Sequence, residues 1–76
     1  MIIPTKTQAE FIDEVTRLIQ NGYTWLNGDT QIFSSLWEVY DEDTAITTND
    51  DLKVFGYVDN TNAEQAEVTL ATLNET

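Results

Sequence analysis

Apolar positions first recur at helical spacing. Phe11, Val15, Leu18 and Ile19 fall on one stripe with Ile12 beside them, while Glu10, Asp13, Glu14, Arg17 and Gln20 fill the other face. Thr7-Gln8-Ala9-Glu10 stands ahead of the stripe in the form of a capping box, a Thr hydroxyl accepting from the amide three residues on and a Glu reaching back. Asn21-Gly22 closes it, with Gly suited to the left-handed position after a helix. The spacing predicts a helix over 8–21. Its early acids, Glu10, Asp13 and Glu14, lie where the helix dipole favours negative charge.

Beyond Gly22 the period shortens. Tyr23-Thr24-Trp25-Leu26 is rich in strand formers and stops at Asn27-Gly28-Asp29, a turn signature. Gln31-Ile32-Phe33 fits a short strand or an irregular connection. Residues 36–40 alternate, with Trp37 and Val39 on one side and Leu36, Glu38 and Tyr40 on the other, and predict a strand. Asp41-Glu42-Asp43 turns the chain into a β-rich stretch, Thr44-Ala45-Ile46-Thr47-Thr48, which Asn49-Asp50-Asp51 closes. Residues 52–58 predict a further strand, where Gly56 suggests a bulge or a close backbone approach. Asp59-Asn60-Thr61-Asn62 is again a loop. In the last segment Ala63, Ala66, Leu70 and Leu73 fit a helix, whereas Val68, Leu70 and Thr72 fit a strand. The β-branched residues favour a strand at 66–73, with a helical turn at 63–65 and a frayed end at 74–76. The order predicts an α+β fold. One N-terminal amphipathic helix packs on a small antiparallel sheet of three to five strands, in a single domain spanning 1–76.

Composition narrows the function classes. The 76 residues hold no His and no Cys. That excludes disulfides, thiolate zinc sites, a cysteine nucleophile and an imidazole base. Fourteen Asp and Glu against three Lys and Arg leave a formal charge of −11. Such a field repels nucleic acid and anionic membranes and attracts basic proteins. Lys6, Arg17 and Lys53 are isolated and form no basic patch, so direct nucleic-acid binding is not expected. Hydrophobic residues at 41% give enough material for a core, which argues against a disordered acidic tail. A domain of this size buries only ~60–65% of the surface its unfolded chain exposes, so a few large anchors must carry it. Met1-Ile2-Ile3-Pro4 is too short for a signal segment, and no apolar run approaches a membrane span. The expectation is a full-length soluble protein of the cytoplasm.

The acids are not evenly spread. Asp41, Glu42 and Asp43 sit in one turn and Asp50 and Asp51 in the next, with Glu38 and Asp59 on the flanking segments. Successive hairpin turns lie at opposite ends of a sheet, so Asp41, Glu42, Asp43 and Asp59 would share one end and Asp50 and Asp51 the other. Same-face neighbours on a strand stand about 6.6–6.8 Å apart. DNA carries one charge per about 3.4 Å of axis rise on each strand. A row of carboxylates running down the sheet would imitate a row of phosphates. Turn chemistry and solubility also account for acids in turns, but the charge exceeds the magnitude of about 2–8 that suits a small domain.

Other chemistry fits less well. Asp41-Glu42-Asp43 and Asp59-Asn60-Thr61-Asn62 offer oxygen ligands, yet neither has the Gly at position 6 or the Glu at position 12 of an EF-hand loop. Paired carboxylates working as acid and base need a walled cleft and a raised pKa. No catalytic residue, metal ligand or cofactor is expected. Of two Trp, three Tyr and three Phe, Phe11, Trp25, Trp37 and Phe55 suit the core, while Tyr40 and Tyr57 are candidate interface anchors. Exposed strand surface also makes a homodimer an expectation.

The chain resembles small acidic bacteriophage proteins of the host-takeover type, including those that mimic DNA. The resemblance rests on Glu10-Phe11-Ile12, Leu18-Ile19, Gly22-Tyr23, Trp25 and Gly28, then Trp37-Glu38-Val39-Tyr40 and Thr44-Ala45-Ile46. It is structural and transfers no active site. It implies inhibition of a basic DNA-binding protein of the host, in the host cytoplasm. The nucleoid protein HU comes first among such targets, because its basic saddle binds without base specificity. The alternative is a small adaptor or structural phage protein that binds a non-nucleic-acid partner through its sheet or aromatics.

Overall fold

In a computed structural model, residues 1–72 are described. The elements are β1 (Ile2–Pro4), α1 (Gln8–Gln20), β2 (Thr24–Trp25), β3 (Thr44–Asn49), β4 (Val54–Asp59) and α2 (Ala63–Ala71). Short 3₁₀ helices occupy Ser34–Val39, Asp41–Asp43 and Asn60–Asn62. The fold is α+β, with α1 packed on a four-stranded sheet of order β1-β3-β4-β2. β1–β3 and β3–β4 pair antiparallel, whereas β2 joins β4 in parallel, so the sheet is mixed rather than wholly antiparallel.

The capping signals of α1 act much as the residues suggest. The Glu10 amide donates to Thr7 Oγ1 at 3.1 Å. The Glu10 carboxylate reaches one residue beyond the cap and accepts from the Lys6 amide at 3.3 Å. At the other end Asn21 caps the helix, and Gly22 takes φ 92, a conformation most side chains resist. The Tyr23 amide then donates to the Leu18 carbonyl at 3.0 Å and the chain turns into β2.

Strand register sets the two faces of the sheet. Ile46 lies opposite Tyr57 and Ile3, and Thr48 lies opposite Phe55. This face meets α1, where Phe11, Val15, Leu18, Tyr23, Trp25, Ile46 and Phe55 form the core. Trp25 is its hub, with its ring centroid 4.4 Å from that of Phe55 and 6.4 Å from that of Phe11. Burying one such aromatic side chain stabilises the fold by about 3 kcal/mol. The opposite face carries Ala45, Thr47 and Asn49 and is covered by α2 through Ala66 and Leu70. β3 is therefore buried at all six positions, although four of them are polar. Those polar groups find partners. Thr44 Oγ1 donates to the Trp37 carbonyl at 3.2 Å, and Asn49 Nδ2 donates to the Leu70 carbonyl at 2.9 Å.

Two predicted strands are helical instead. The stretch at 36–40 lies in the 3₁₀ helix Ser34–Val39 and its C-cap Tyr40; Leu36 and Trp37, with Phe33 just ahead of the helix, lean on the core and Val39 faces water. The indole N–H of Trp37 donates to the Thr5 carbonyl at 3.4 Å, tying this segment to the end of β1. The predicted strand at 66–73 is α2 as far as Ala71, because Ala63, Ala66 and Leu70 are spaced to cover the sheet. Val68, which the strand pattern would have buried, is 60% exposed. Leu73 and the frayed end expected at 74–76 lie outside the described residues. Gly56 is not a bulge, since the β3–β4 register runs unbroken past it, pairing Gly56 with Thr47.

Candidate functional site

The β3–β4 register distributes the candidate acids. Thr44 lies opposite Asp59, and Asn49 lies opposite Val54. Asp41, Glu42, Asp43 and Asp59 thus share one end of the hairpin, and Asp50 and Asp51 occupy the other. Between them runs buried β3, which bears no acid. At about 3.4 Å per residue the two ends are separated by about 17 Å. The continuous row of carboxylates expected down the sheet is therefore absent among the described residues. Helix α2 and the core claim the strand faces on which it would have stood.

At the first end, two successive 3₁₀ helices carry Glu38 and then Asp41, Glu42 and Asp43, all four exposed. Asp41 takes φ 50, a left-handed conformation that Asp tolerates better than most residues. The Asp43 amide donates to the Tyr40 carbonyl at 3.0 Å, which closes the turn into β3. Asp59 accepts from the Thr61 amide at 2.9 Å and caps the 3₁₀ helix that leads to α2. Tyr40 and Tyr57 bring their rings to 6.0 Å beside these acids, with Tyr40 37% exposed. Among the described residues, Glu38, Asp41, Glu42, Asp43 and Asp59 form no salt bridge. Arg17 pairs with Glu14 on α1, and Lys53 lies 4.9 Å from the centroid of the Tyr23 ring.

The second end is built differently. Asp50 Oδ1 accepts from the Tyr23 hydroxyl at 2.6 Å and from Thr48 Oγ1 at 2.9 Å. The Tyr23 bond first, then the Thr48 bond, holds the Asp50 carboxyl below its ordinary range. The same bond, with burial adding to it, raises the Tyr23 phenol. Asn49 Oδ1 accepts from the amides of Asp51 and Leu52 at 3.1 and 3.2 Å and organises the turn. Asp50 is thus part of the protein's own bonding.

Beside Tyr57, already a candidate anchor, the structure adds residues that the sequence does not mark as a binding surface. Two open clefts of about 360 and 280 Å³ flank the β4 edge on the two sides of the sheet. Trp25, Phe33, Leu36 and Phe55 line the first, and Thr47, Ala66, Thr69 and Leu70 line the second. Leu26, Gly56 and Tyr57 border both. Leu26, 58% exposed, gave a weak signal as an apolar residue entering the Asn27-Gly28 turn. Gly56 gave a clearer one as a lone Gly within a strand.

Among the described residues no group of three acidic side chains is placed to hold a metal ion, and no helix is long and apolar enough to cross a membrane. Comparisons with family models, with curated proteins and with solved structures find no match to this chain.

Proposed function

We propose that this protein is an acidic inhibitor, not an enzyme, which occupies the DNA-binding surface of a basic protein. The observation that carries the reading is the cluster of Glu38, Asp41, Glu42, Asp43 and Asp59 at one end of the hairpin, without salt bridges among the described residues. The acids stand on short 3₁₀ turns and a strand end, so their backbone is ordered before a partner arrives. Less ordering entropy is then lost on binding. The net charge of −11 steers a basic partner towards the chain and weakens the complex as salt rises. Asp50 and Asp51 contribute field rather than contact in this reading. The site of action is the cytoplasm of the host that supplies the partner. The nucleoid protein HU is the first candidate target, because its basic saddle binds without base specificity and clustered carboxylates need not reproduce base edges.

The test is affinity capture from a bacterial lysate with a salt gradient, followed by titration of purified HU in competition with duplex DNA. The expected result is a basic DNA-binding protein that leaves with rising salt and that DNA displaces. Capture of a salt-resistant, non-basic partner would replace the reading with the adaptor alternative, for which the exposed Tyr40 and Leu26 are the favouring observation. In that case changes at Tyr40 or Tyr57 abolish binding and changes at the acids do not.

A further inference from the structure

β4 is paired on both sides at only two of its six residues. β2 meets it at Val54 and Phe55 and then leaves, because the Trp25 amide turns to the Asp29 carbonyl and the Gly28 amide to the Trp25 carbonyl. From residue 56 to 59, β4 has β3 on its inner side and no strand on its outer side among the described residues. The outward backbone groups can be identified. The Thr24 amide donates to the Lys53 carbonyl, so odd-numbered residues turn their N–H and C=O towards the outer edge. Past Phe55, Tyr57 is the next such residue. An open edge of this kind is a template for another strand.

Two further features show what that strand would be. The clefts lie on opposite faces of the sheet and meet at this edge, sharing Leu26, Gly56 and Tyr57. Side chains of a strand alternate between faces, so a strand added here places one side chain in each cleft. Gly56 keeps the second cleft open, since a Cβ built there meets nothing within 4 Å. The strand end at Asp59 then leads to Asp41, Glu42 and Asp43. A second copy of the chain would set a second acidic chain of net charge −11 against the first and is disfavoured.

We propose that the outer edge of β4 at 56–59 receives an extended segment of the basic partner as a fifth strand, with apolar side chains in the two clefts and Lys or Arg facing Asp59 and Asp41–Asp43. The charge of the occupant rests on the function proposed above, whereas the strand addition rests on the edge and its clefts.

The experiment uses the ¹⁵N-labelled full chain and a synthetic ten-residue peptide of Val-Val-Thr-Thr repeats ending in Lys-Arg, so that adjacent Val residues face both clefts. Its controls are the same peptide ending in Glu-Glu and one N-methylated at alternate residues. The Lys-Arg peptide is expected to shift the amide resonances of residues 56–59 and to slow hydrogen exchange at Tyr57. N-methylation is expected to weaken binding at least about tenfold, through loss of the edge hydrogen bonds. Gly56→Val is expected to weaken it similarly while the chain stays folded, since Val suits a strand and its Cβ meets nothing within 4 Å. Absence of binding at about 1 mM peptide, equal binding of the Glu-Glu peptide, or self-association that Gly56→Val abolishes would each overturn the proposal. A captured partner that DNA displaces while Tyr57 exchange stays unchanged also overturns it and leaves the proposed function intact. Peptide seated on the edge with no DNA-displaced partner keeps the strand addition and removes the DNA-site reading.

Discussion

The two ends of the β3–β4 hairpin use the same residue type for different work. At one, Asp50 is bonded to the Tyr23 hydroxyl and Thr48, and Asn49 beside it ties the turn to α2. At the other, Asp41, Glu42 and Asp43 face water from a 3₁₀ turn without a salt bridge among the described residues. The first end spends its polar groups on the fold, whereas at the second Asp41, Glu42 and Asp43 stay in solvent. A cluster of acids in sequence is therefore no guide to its role. What separates the two is whether a hydroxyl or amide from another element reaches the carboxylate.

The sharpest break in this comparison is Asn49→Ala. The buried side chain donates to the Leu70 carbonyl and accepts from the Asp51 and Leu52 amides, so its loss strands groups at a covered site. We expect a loss of about 2–3 kcal/mol in urea unfolding, with partner affinity unchanged once folding is allowed for. Next in size is the triple change Asp41→Asn, Glu42→Gln and Asp43→Asn at the open end. Asn also tolerates the left-handed backbone at position 41, so the melting temperature should hold or rise as self-repulsion falls. Affinity for the basic partner should drop about tenfold or more, equivalent to about 1.4 kcal/mol. A triple variant that binds as well as the parent would remove the open end from the interface.

Much of this was visible along the chain, for reasons that differ by element. α1 was legible because its period, cap and stop lie within one continuous segment. β3 and β4 were legible because β-branched runs sit between Asx-rich turns, and their pairing placed the acids at opposite ends correctly. The stretch at 36–40 misled because its alternation is not used: the adjacent Leu36 and Trp37 both pack on the core, while Val39 and Tyr40 are exposed. A hydrogen bond from Trp37 to distant Thr5 goes with the 3₁₀ form. α2 misled because Val68 and Thr69 lean towards a strand, whereas covering Thr47 and Gly56 needs residues at helical spacing. β1, only three residues and ending in Pro, has no local signature and exists through its pairing with β3. The open edge of β4 was illegible for the same reason, since nothing local says where β2 departs.

A pH series sharpens the contrast between single carboxylates. Asp50 ionises below its ordinary 3.8 in the folded chain, so the stability it contributes is present above that value and is lost as pH falls through the lowered one. Tyr23 is raised from 10.0, so its share is present below pH 10 and is lost as pH rises through the raised value. Acidification also relieves the general self-repulsion of the chain, so the informative quantity is the parent minus Asp50→Asn. We expect the variant to melt a few degrees lower at pH 7 and the gap to close as pH drops below 3.8. A gap that persists at low pH would mean that the Asn, and not the missing charge, disturbs the turn.

The smallest effect tests whether the open end is as unencumbered as its geometry suggests. Each end of the hairpin has one non-glycine residue in the left-handed region, Asp41 at φ 50 and Lys53 at φ 56. Gly relieves that backbone cost at either place but adds freedom to the unfolded chain, and the two nearly offset. At position 53 Gly also removes the ammonium over the Tyr23 ring, which tips the balance towards loss. At position 41 it removes only one of several crowded charges, which tips it towards gain. We expect Asp41→Gly to raise stability by about 0.5 kcal/mol in urea unfolding and Lys53→Gly to bring no gain. If Asp41→Gly destabilised the chain, its carboxylate would have to be making a contact in the folded state. The end proposed to meet a partner would then be bonded into the fold, as Asp50 is.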